Sequence, residues 1–344
     1  MYHPKSMQEN NKNLNAEDFL KNLPVQAEEI GFKPDELIHC QKCSRTNPPN
    51  RLKCLYCGAE LEISAETAAN FKPNLRKLEN WENGFNLIST PKDEKVSAEA
   101  VAQAAKIIGL DKEVLQKIFD AGKPLPAVRC ETAREAGILQ NRLREIGLET
   151  SIVADEKLAA ENLPKRLRGL EFQDDKILLI LFNNDEVEEI SAADLNLIVT
   201  GAIFQKAVEA TEARKKSESK ILDATETASD ESLIDIYTKN NPNGYRILTK
   251  GFDFSCLGAE KGILARENIK KLVAKLQTAA PNAKLIDDYL ALRNILGEVW
   301  EIEQRKDSQG LTRQRFGKFD LSNVSTSNNL QQFTKYSRLQ RHIL

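Results

Sequence analysis

Four cysteines between positions 40 and 57 constrain the fold of this chain more than any other feature, because they form two C-x-x-C pairs separated by ten residues. A C-x-x-C turn brings two sulfurs to one ion, and a second pair completes a tetrahedral site of four thiolates. The surrounding segment, residues 38–62, is too short to bury a hydrophobic core, so metal binding must supply most of its folding free energy. The predicted metal ligands are Cys40, Cys43, Cys54 and Cys57.

The identity of the metal follows from the ligand type and the residues beside the pairs. Zinc is redox-inert and takes thiolate ligands at about 2.3 Å. Iron sites of the rubredoxin kind usually carry glycine after each pair, whereas here Gly58 follows the second pair and Ser44 follows the first. A thioredoxin-like redox site needs a single C-x-x-C on a βα unit. His39 adjoins Cys40 and is interpreted as a solvated neighbour. The sequence therefore predicts one structural zinc ion.

Basic residues surround the cysteines, and three interpretations of them stay open. Four thiolates on one zinc ion carry a formal charge of about −2, which nearby cations would offset. The same cations, together with Tyr56, would suit single-stranded RNA, and they would also suit contact with another protein. The basic residues are Lys42, Arg45, Arg51 and Lys53.

The cysteine spacing resembles the RanBP2-type zinc finger, whose pattern is C-x2-C-x3-N-x6-C-x2-C. Asn47 occupies the family's asparagine position, and the resemblance implies that it ties the loop together through backbone hydrogen bonds. Ile38 stands where the family has tryptophan, and Ser44-Arg45-Thr46 stands where ubiquitin-binding members have Thr-Phe. Ubiquitin binding is therefore not implied. A short four-cysteine zinc ribbon is the broader description of the same segment.

Composition and charge exclude several classes of function. The net charge of −2 gives the whole chain no nucleic-acid or membrane signature. No segment has the roughly 18 consecutive apolar residues of a membrane span, and the polar start of the chain has no apolar signal core, so we expect a cytoplasmic protein. The three histidines, His3, His39 and His342, lie near the ends or beside the cysteines. Mechanisms that need a histidine base in the core are therefore disfavoured, and we expect no enzyme.

Patterning along the chain predicts a multidomain α+β protein with disordered ends. Polar, asparagine-rich sequence marks the first segment, and charged stretches mark two linkers. The predicted divisions are residues 1–37, mostly disordered; 38–62, the zinc finger; 63–83, a linker; 84–155, a β-α-α-β-α-β domain; 156–170, a second linker; 171–302, an α+β domain of unknown function; and 303–344, a mostly disordered basic tail.

Residues 84–155 alternate short strand patterns with amphipathic helices. Ser97 and Asp111 are candidate N-caps, and Gly109 and Gly147 end two of the helices. The thiol in the short apolar strand LPAVRCE, Cys130, is interpreted as buried and unreactive. The predicted core residues are Val101, Ala105, Ile108, Leu115, Ile118, Leu139 and Leu143.

This region resembles the C-terminal domain of the ribosomal stalk protein and the related adaptor fold of ClpS. The resemblance rests on the strand FNLIS, on the helix pair SAEAVAQAAKIIGL and DKEVLQKIFDAGKP, and on a final helix with Ala136, Leu139, Leu143 and Gly147. It implies the fold of a small interaction domain. The family's factor-binding helices are basic, whereas these helices mix acidic and basic residues, so the family's activity is not implied.

Residues 171–302 place strand patterns before two helices, which is typical of α+β domains. We favour a strand from Leu195 to about Val208, and the turn sequence NPNG predicts a hairpin. In GFDFSCLG, Phe252, Phe254 and Leu257 alternate with polar or small residues, which predicts an inward-facing strand that ends in a glycine turn. No histidine is available to activate Ser255 or Cys256 as a nucleophile. No family is recognised here, and a PH-like sheet closed by a C-terminal helix fits the element order.

These features lead to two functional hypotheses. The first is a non-enzymatic adaptor that contacts a protein partner through the finger and the stalk-like domain. The alternative is an RNA- or ribosome-associated factor that uses the basic finger and tail, whose binding weakens with salt. An enzyme would need a polar pocket near Asp253 or Asp287. The sequence indicates no small-molecule substrate and no membrane partner.

Overall fold

The structure of the chain is a computed structural model that describes residues 37–49, 51–62, 75–91, 95–184, 186–215, 218–315 and 318–344. Two units divide the chain, residues 1–71 and residues 72–344. The predicted disordered N-terminal segment, residues 1–37, lies outside the described residues except for its last position, and so does most of the predicted linker 63–83.

The described part of the first unit is built from turns and very short strands. The strand β1 (Ile38–His39) pairs antiparallel with β2 (Thr46–Asn47). Its hydrophobic cluster consists of side chains next to the cysteines, and they are Ile38, Ala59 and Leu61 with Cys40, Cys43 and Cys54. Cysteine side chains thus form half of this core, as expected for a segment too short to bury an apolar one.

The second unit begins with a small layer in the element order β-α-α-β-α-β. Its strands are β3 (Phe85–Ser89), β4 (Pro126–Cys130) and β5 (Thr150–Ala154). The middle strand β3 pairs antiparallel with both others. The helices are α1 (Ala98–Ile108), α2 (Lys112–Asp120) and α3 (Ala133–Glu145). Their apolar sides meet one face of the sheet in a cluster that includes Leu87, Val101, Leu115, Leu139 and Leu143.

The predicted ends of these helices are confirmed. The Ser97 side chain accepts a hydrogen bond from the Ala100 backbone N–H at 3.1 Å, and the Asp111 carboxylate accepts one from Glu113 at 2.7 Å. Gly109 ends α1 with φ 75°, a left-handed conformation that glycine adopts without a Cβ penalty. Local sequence alone specifies these boundaries.

The other face of the β4-β3-β5 sheet packs against the C-terminal half of the chain. The indole N–H of Trp300 donates to the Asn86 side-chain oxygen at 2.8 Å. One hydrophobic cluster contains Ile88, Ala127 and Val153 together with Leu197, Tyr289, Trp300 and Phe333. Residues 84–155 therefore share a continuous core with the remainder of the second unit.

The C-terminal half is organised by a curled nine-stranded sheet. Its strands are β6 (Lys165–Gln173), β7 (Lys176–Leu181), β8 (Val187–Ser191), β9 (Leu195–Lys215), β10 (Glu218–Thr238), β11 (Tyr245–Leu248), β12 (Lys284–Ile286), β13 (Glu303–Arg315) and β14 (Lys318–Asn328). The order is β13-β14-β9-β10-β11-β6-β7-β8, and β12 pairs with the start of β9. Only β11–β6 and β12–β9 are parallel among the described pairs.

Two predictions for this region are confirmed. The strand expected from Leu195 to about Val208 is present as β9 and continues to Lys215. The hairpin expected at NPNG joins β10 to β11, with Ile236 paired to Tyr245. Alternate residues of β9 contribute to two cores on opposite faces, because Ile198 belongs to one hydrophobic cluster and Leu197 to another.

The helices of the C-terminal half cover both faces of this sheet. They are α4 (Asp155–Leu158), α5 (Ala265–Ala279), α6 (Tyr289–Leu296) and α7 (Leu330–Ile343). Leu272 and Leu276 of α5 belong to the hydrophobic cluster that contains Ile198. Residues of α6 and α7 belong to the cluster on the other face, which contains Leu197. Within the described ranges, no helix has both the length and the apolar character needed to cross a membrane.

The structure corrects the prediction that residues 156–170 form a linker. The segment contains most of α4 and the first part of β6. Leu167 and Leu170 are buried in the sheet core, while Lys165 and Arg168 point outward. The exposed charges made the segment resemble a connector, and only the inward leucines carry the strand signal.

The structure also corrects the prediction that residues 303–344 form a mostly disordered tail. β13 and β14 form a hairpin that extends the sheet through β9, and Phe333, Tyr336 and Leu339 of α7 are fully buried. A polar sequence can form β14 because the strand is held by backbone hydrogen bonds, which any side chain permits. The three apolar residues of α7 recur at helical spacing and suffice to bury one face.

The structure corrects the prediction that GFDFSCLG is a strand, because only Asp253 forms a β-bridge there, an isolated one with Gly169. Phe252 and Phe254 are buried, as predicted, but Phe254–Glu260 forms a 3₁₀ segment. The Asp253 carboxylate accepts a hydrogen bond from the Ser255 N–H at 2.9 Å. This local cap favours a helical turn over continued extension.

Candidate metal centre

The two C-x-x-C turns bring all four predicted ligands together. The four Sγ atoms lie within 4.8 Å of one another. The Cys40 and Cys57 sulfurs are 3.5 Å apart, as are those of Cys43 and Cys54. Sulfurs bound tetrahedrally to one ion at about 2.3 Å stand about 3.8 Å apart. The cluster therefore has the size of a single metal site.

Both turns have the same backbone hydrogen bonds. In the first, the Cys40 N–H donates to the Arg45 carbonyl at 3.0 Å, and the Ser44 N–H donates to the Cys40 carbonyl at 2.8 Å. The second turn repeats these bonds at 2.8 and 2.9 Å, among Cys54, Ala59 and Gly58. The pair of matching turns presents the sulfurs from two sides.

The residue after each pair adopts the same unusual conformation. Gly58 has φ 68° and Ser44 has φ 56°. Glycine carries no steric penalty in this left-handed region, whereas serine does. The absence of glycine after the first pair has therefore not changed the turn; it has placed a strained residue there.

Asn47 ties the two turns together, as the finger resemblance implies. Its side-chain N–H₂ group donates to the Arg45 carbonyl at 2.9 Å and to the Cys54 sulfur at 3.4 Å. Its side-chain oxygen accepts the Leu55 N–H at 2.8 Å. The residue is fully buried. It thus connects the first turn, the second turn and one ligand atom.

The pKa values of the cysteine thiols in the cluster are shifted in opposite directions. Burial disfavours the thiolate of Cys54, but the N–H groups of Tyr56 and Cys57 and the Asn47 amide outweigh it and lower its pKa to about 6. For Cys43, the Arg45 N–H favours the thiolate, yet burial and the neighbouring sulfurs raise its pKa to about 12. The pKa of Cys40 is lowered as well, chiefly by the Cys43 backbone N–H. Cys43 must therefore lose a proton before all four sulfurs are thiolates, and a bound cation would favour that state.

The surface beside the site is basic and partly apolar. The Leu55 and Tyr56 side chains are 52% and 56% exposed. The Arg45 guanidinium lies 4.7 Å from the centre of the Tyr56 ring, within the range of a cation–π contact. Lys42, Arg45, Arg51 and Lys53 are all exposed.

The other candidate residues, Cys130, Asp253, Ser255 and Cys256, all belong to the second unit. Burial raises the pKa of the Cys130 thiol and that of Cys256. The Ser255 hydroxyl donates to Asp253 at 2.8 Å, and Lys261 pairs with the same carboxylate. Elsewhere in the described chain, no group of three His, Cys, Asp or Glu side chains is close enough to hold a metal.

The carboxylates at the start of α6 have structural contacts. The Asp288 carboxylate accepts the Tyr336 hydroxyl and pairs with the Lys123 ammonium. It therefore joins α6 to α7 and to the turn before β4. These contacts give Asp288 a structural role.

Sequence reasoning missed a buried ionic cluster in the second unit, which we call the Asp155 cluster. The Asp155 carboxylate accepts the Arg129 Nε–H at 2.7 Å and the Asn86 side-chain N–H at 3.0 Å, and the Lys335 ammonium lies 3.5 Å from it. Arg129 also donates to the carbonyls of Leu78 and Glu79, in the predicted linker. An arginine within an apolar strand was the available signal.

The geometry of the four sulfurs does not identify the family of the finger or of the domain at residues 84–155. The finger resemblance rests on the cysteine spacing and Asn47, and the stalk-protein resemblance rests on element order. No protein-family model matches the chain, and neither a curated protein nor a solved structure matches it.

Proposed function

We propose that residues 38–62 form a finger that binds one structural zinc ion, and that the chain is a non-enzymatic interaction or adaptor protein. The observation that carries the first part is the convergence of four sulfurs within 4.8 Å, with Asn47 fastening both turns. Four thiolates fill a tetrahedral shell and leave no open position for water or substrate. Such a site stabilises a fold and supplies no Lewis acid.

Zinc is the ion that best suits this donor set. Thiolate ligands select soft or borderline ions, and a tetrahedral four-sulfur set is typical of zinc or iron. The small apolar core of the finger leaves metal binding as its main source of stability. The RanBP2-type pattern supports the same choice, and the missing tryptophan leaves the zinc-ribbon description equally suitable.

The adaptor role is supported by what the two units expose. The finger presents Leu55 and Tyr56 outward, although its own core is small. In the second unit, the β-α-α-β-α-β order with β3 in the middle supports a stalk-protein-like interaction module. The PH-like description of the C-terminal half stays a prediction. Cys130 and Cys256 are held as thiols by burial, which supports a non-enzymatic role.

Metal analysis of the purified chain tests the zinc proposal. We expect one zinc per chain, and we expect the variant Cys40→Ser with Cys54→Ser to lose it. The matched control is Cys130→Ser with Cys256→Ser, which keeps the zinc because neither thiol belongs to the cluster. Iron in place of zinc, or no metal in protein purified without chelators, contradicts the proposal.

Affinity capture with and without residues 38–62 tests the adaptor role. Residues 38–62 belong entirely to the first unit, so we expect their deletion to leave the second unit folded. Deleting residues 84–155 would instead remove part of the core that they share with the C-terminal half. We expect protein partners of the full chain to be lost from the deletion variant and from Leu55→Ser with Tyr56→Ser. A partner list unchanged in both variants counts against the finger as a docking element.

One observation favours the alternative, an RNA- or ribosome-associated factor. Arg45 lies over the exposed Tyr56 ring, and an aromatic ring with an adjacent guanidinium suits stacking on unpaired bases. This hypothesis predicts RNA binding that weakens steeply with salt and that both Tyr56→Ala and Arg45→Ala reduce. Charge reversal at Arg45, Arg51 and Lys53 should weaken co-sedimentation with ribosomes. If co-sedimentation is unchanged, the finger does not bind the ribosome through these residues.

A further inference from the structure

Four strands extend beyond the hydrophobic cores of the second unit as an arm, which we define as residues 205–215, 218–230, 303–315 and 318–328 of β9, β10, β13 and β14. Among the described side chains, the last buried apolar residue of β9 is Ile203 and the first of β10 is Leu233. Beyond them, the described side chains of the arm are small or polar except for Val208 and Val324. A sheet without an apolar face gains little stability from its own packing.

Both outer strands of the arm have one open edge. From Glu218 to Asp230, β10 pairs only with β9, and β13 pairs only with β14 among the described strands. A 13-residue strand such as β13 spans roughly 40 Å. Open edges present unpaired N–H and C=O groups, which proteins usually guard with lysine or proline. Residues 223–230 of β10 contain neither.

The two open edges carry opposite charge. Residues 218–230 of β10 contain Glu218, Asp223, Glu226 and Asp230 against Lys220. Residues 303–315 of β13 contain Arg305, Lys306, Arg313 and Arg315 against Glu303 and Asp307. Pairing β10 with a second β10, or β13 with a second β13, would therefore bring like charges together, whereas pairing β10 with β13 would not.

The strand directions permit the mixed pairing. β13 runs away from the body of the second unit, since Glu303 pairs with Asn328 at the base of the arm, and β10 runs back towards it. When two arms point the same way, β13 of one copy is antiparallel to β10 of the other. The alternating antiparallel order of the arm then continues across the contact.

The registers place complementary residues at equal heights in the arm. Glu226 pairs with Val208, Val208 with Ser325, and Ser325 with Lys306. In an unstaggered contact, Glu226 would therefore face Lys306 of the second copy. No traced level brings two like charges together.

We propose that the arm is a self-association surface on which β10 of one copy pairs with β13 of a second copy. The contact joins two different edges, so a pair of copies still has one unpaired β10 edge and one unpaired β13 edge. Further copies can add to these edges, and the assembly can grow into a ring or a filament. Backbone hydrogen bonds supply the pairing, and the Glu226–Lys306 level sets its register.

Sedimentation velocity over a range of protein concentrations tests the proposal on the full chain. We expect association that increases with concentration and weakens with salt. Glu226→Lys places two cations opposite each other, and Lys306→Glu places two anions opposite each other, so each variant should raise the dissociation constant roughly tenfold. The double variant restores opposite charges and should return to within a few-fold of the unchanged chain.

Two controls separate pairing from damage to the arm. Glu226 also pairs with Lys206 at 2.8 Å within the chain, and the rescue in the double variant is the readout that loss of this pair alone would not produce. Glu171→Lys reverses an exposed charge on β6, away from the arm, and should leave association unchanged. A chain that stays monomeric at every concentration overturns the proposal, and so does a double variant as weak as its parents combined.

Discussion

At the scale of single residues, Ser44 and Gly58 form a natural pair for measuring backbone strain. Both have left-handed φ values at matching positions of the two turns. We expect Ser44→Gly to tighten zinc binding by up to about fivefold, because the strain of about 1 kcal/mol is removed while the unfolded chain gains some freedom. Gly58→Ala should weaken it by a similar factor, since a Cβ there meets no atom within 4 Å and only backbone strain acts. Competition with a chelator measures both, and equal signs would contradict the assignment.

Asn47 is the residue whose loss should harm the finger most among the non-cysteines. Asn47→Ala leaves the Leu55 N–H without its partner, at a cost of about 1–3 kcal/mol for a group left unpaired. It also removes one of two donors to the Arg45 carbonyl, which keeps the Cys40 N–H. Asn47→Asp keeps the acceptor but removes the N–H donor to the Cys54 sulfur and adds an anion beside the thiolates. We expect both variants to raise the zinc dissociation constant at least tenfold. Thr46→Ala, exposed beside it, is the control that should not.

Zinc affinity should fall as pH falls, because metal and protons compete for the same sulfurs. The pKa of Cys43 is raised to about 12 and that of Cys54 is lowered to about 6. Near neutral pH Cys54 is already a thiolate, whereas Cys43 is protonated and must release its proton when the ion binds. Below about pH 6, Cys54 also carries a proton and the dependence should become steeper. Titration with a competing chelator over this range, with proton release recorded in weak buffer, checks the direction.

At the scale of secondary-structure elements, α7 contributes to the core of the second unit. Phe333 is fully buried, its ring packs edge-on against Tyr289 at 4.9 Å, and the absent side chain of Gly201 makes room for it. We expect Phe333→Ala to lower the free energy of unfolding by about 3–5 kcal/mol, whereas Ile343→Ala, at an exposed position of the same helix, should change it by less than about 0.5 kcal/mol. Chemical denaturation measures both. A disordered tail would make the two variants equally harmless.

The same scale shows what the sequence could predict and what it could not. The cysteine cluster, the Asn47 contacts and the caps at Ser97 and Asp111 depend on residues a few positions apart, and the sequence predicted them. The tail hairpin and α7 depend on partners far away along the chain, since β14 pairs with β9 and Phe333 lies against Gly201. The hairpin sequence is polar, and the buried apolar residues of α7 are only three, so the local pattern was too weak to predict either element.

At the scale of the whole molecule, the second unit is joined by polar contacts as well as by its shared core. Trp300 binds Asn86, and the Asp155 cluster connects β4, α4 and α7. An arginine and a lysine near one buried carboxylate make a network in which the carboxylate is indispensable, because without it two cations stay buried together. The order of β-α-α-β-α-β elements could be predicted, but this junction could not, since its members are far apart in sequence.

Replacing the carboxylate of the Asp155 cluster should therefore lower the free energy of unfolding more than replacing its lysine. Asp155→Asn leaves Arg129 and Lys335 buried without a counter-charge and should lower the free energy of unfolding by about 3–5 kcal/mol. Lys335→Met removes an ammonium whose pKa burial already lowers, leaves the Arg129–Asp155 pair in place, and should cost less than about 1.5 kcal/mol.

The pH dependence separates this account from a simple packing effect. Burial acts to raise the pKa of Asp155, but Lys335, Asn86 and Arg129 outweigh it and hold the pKa below its usual range. Its contribution to stability is then fully present above the unfolded value and is lost as pH falls through the folded one. Urea unfolding should show the difference between the unchanged chain and Asp155→Asn shrinking below about pH 4. A difference that stays constant down to acid unfolding would mean that Asp155 acts through its shape and hydrogen bonds rather than its charge.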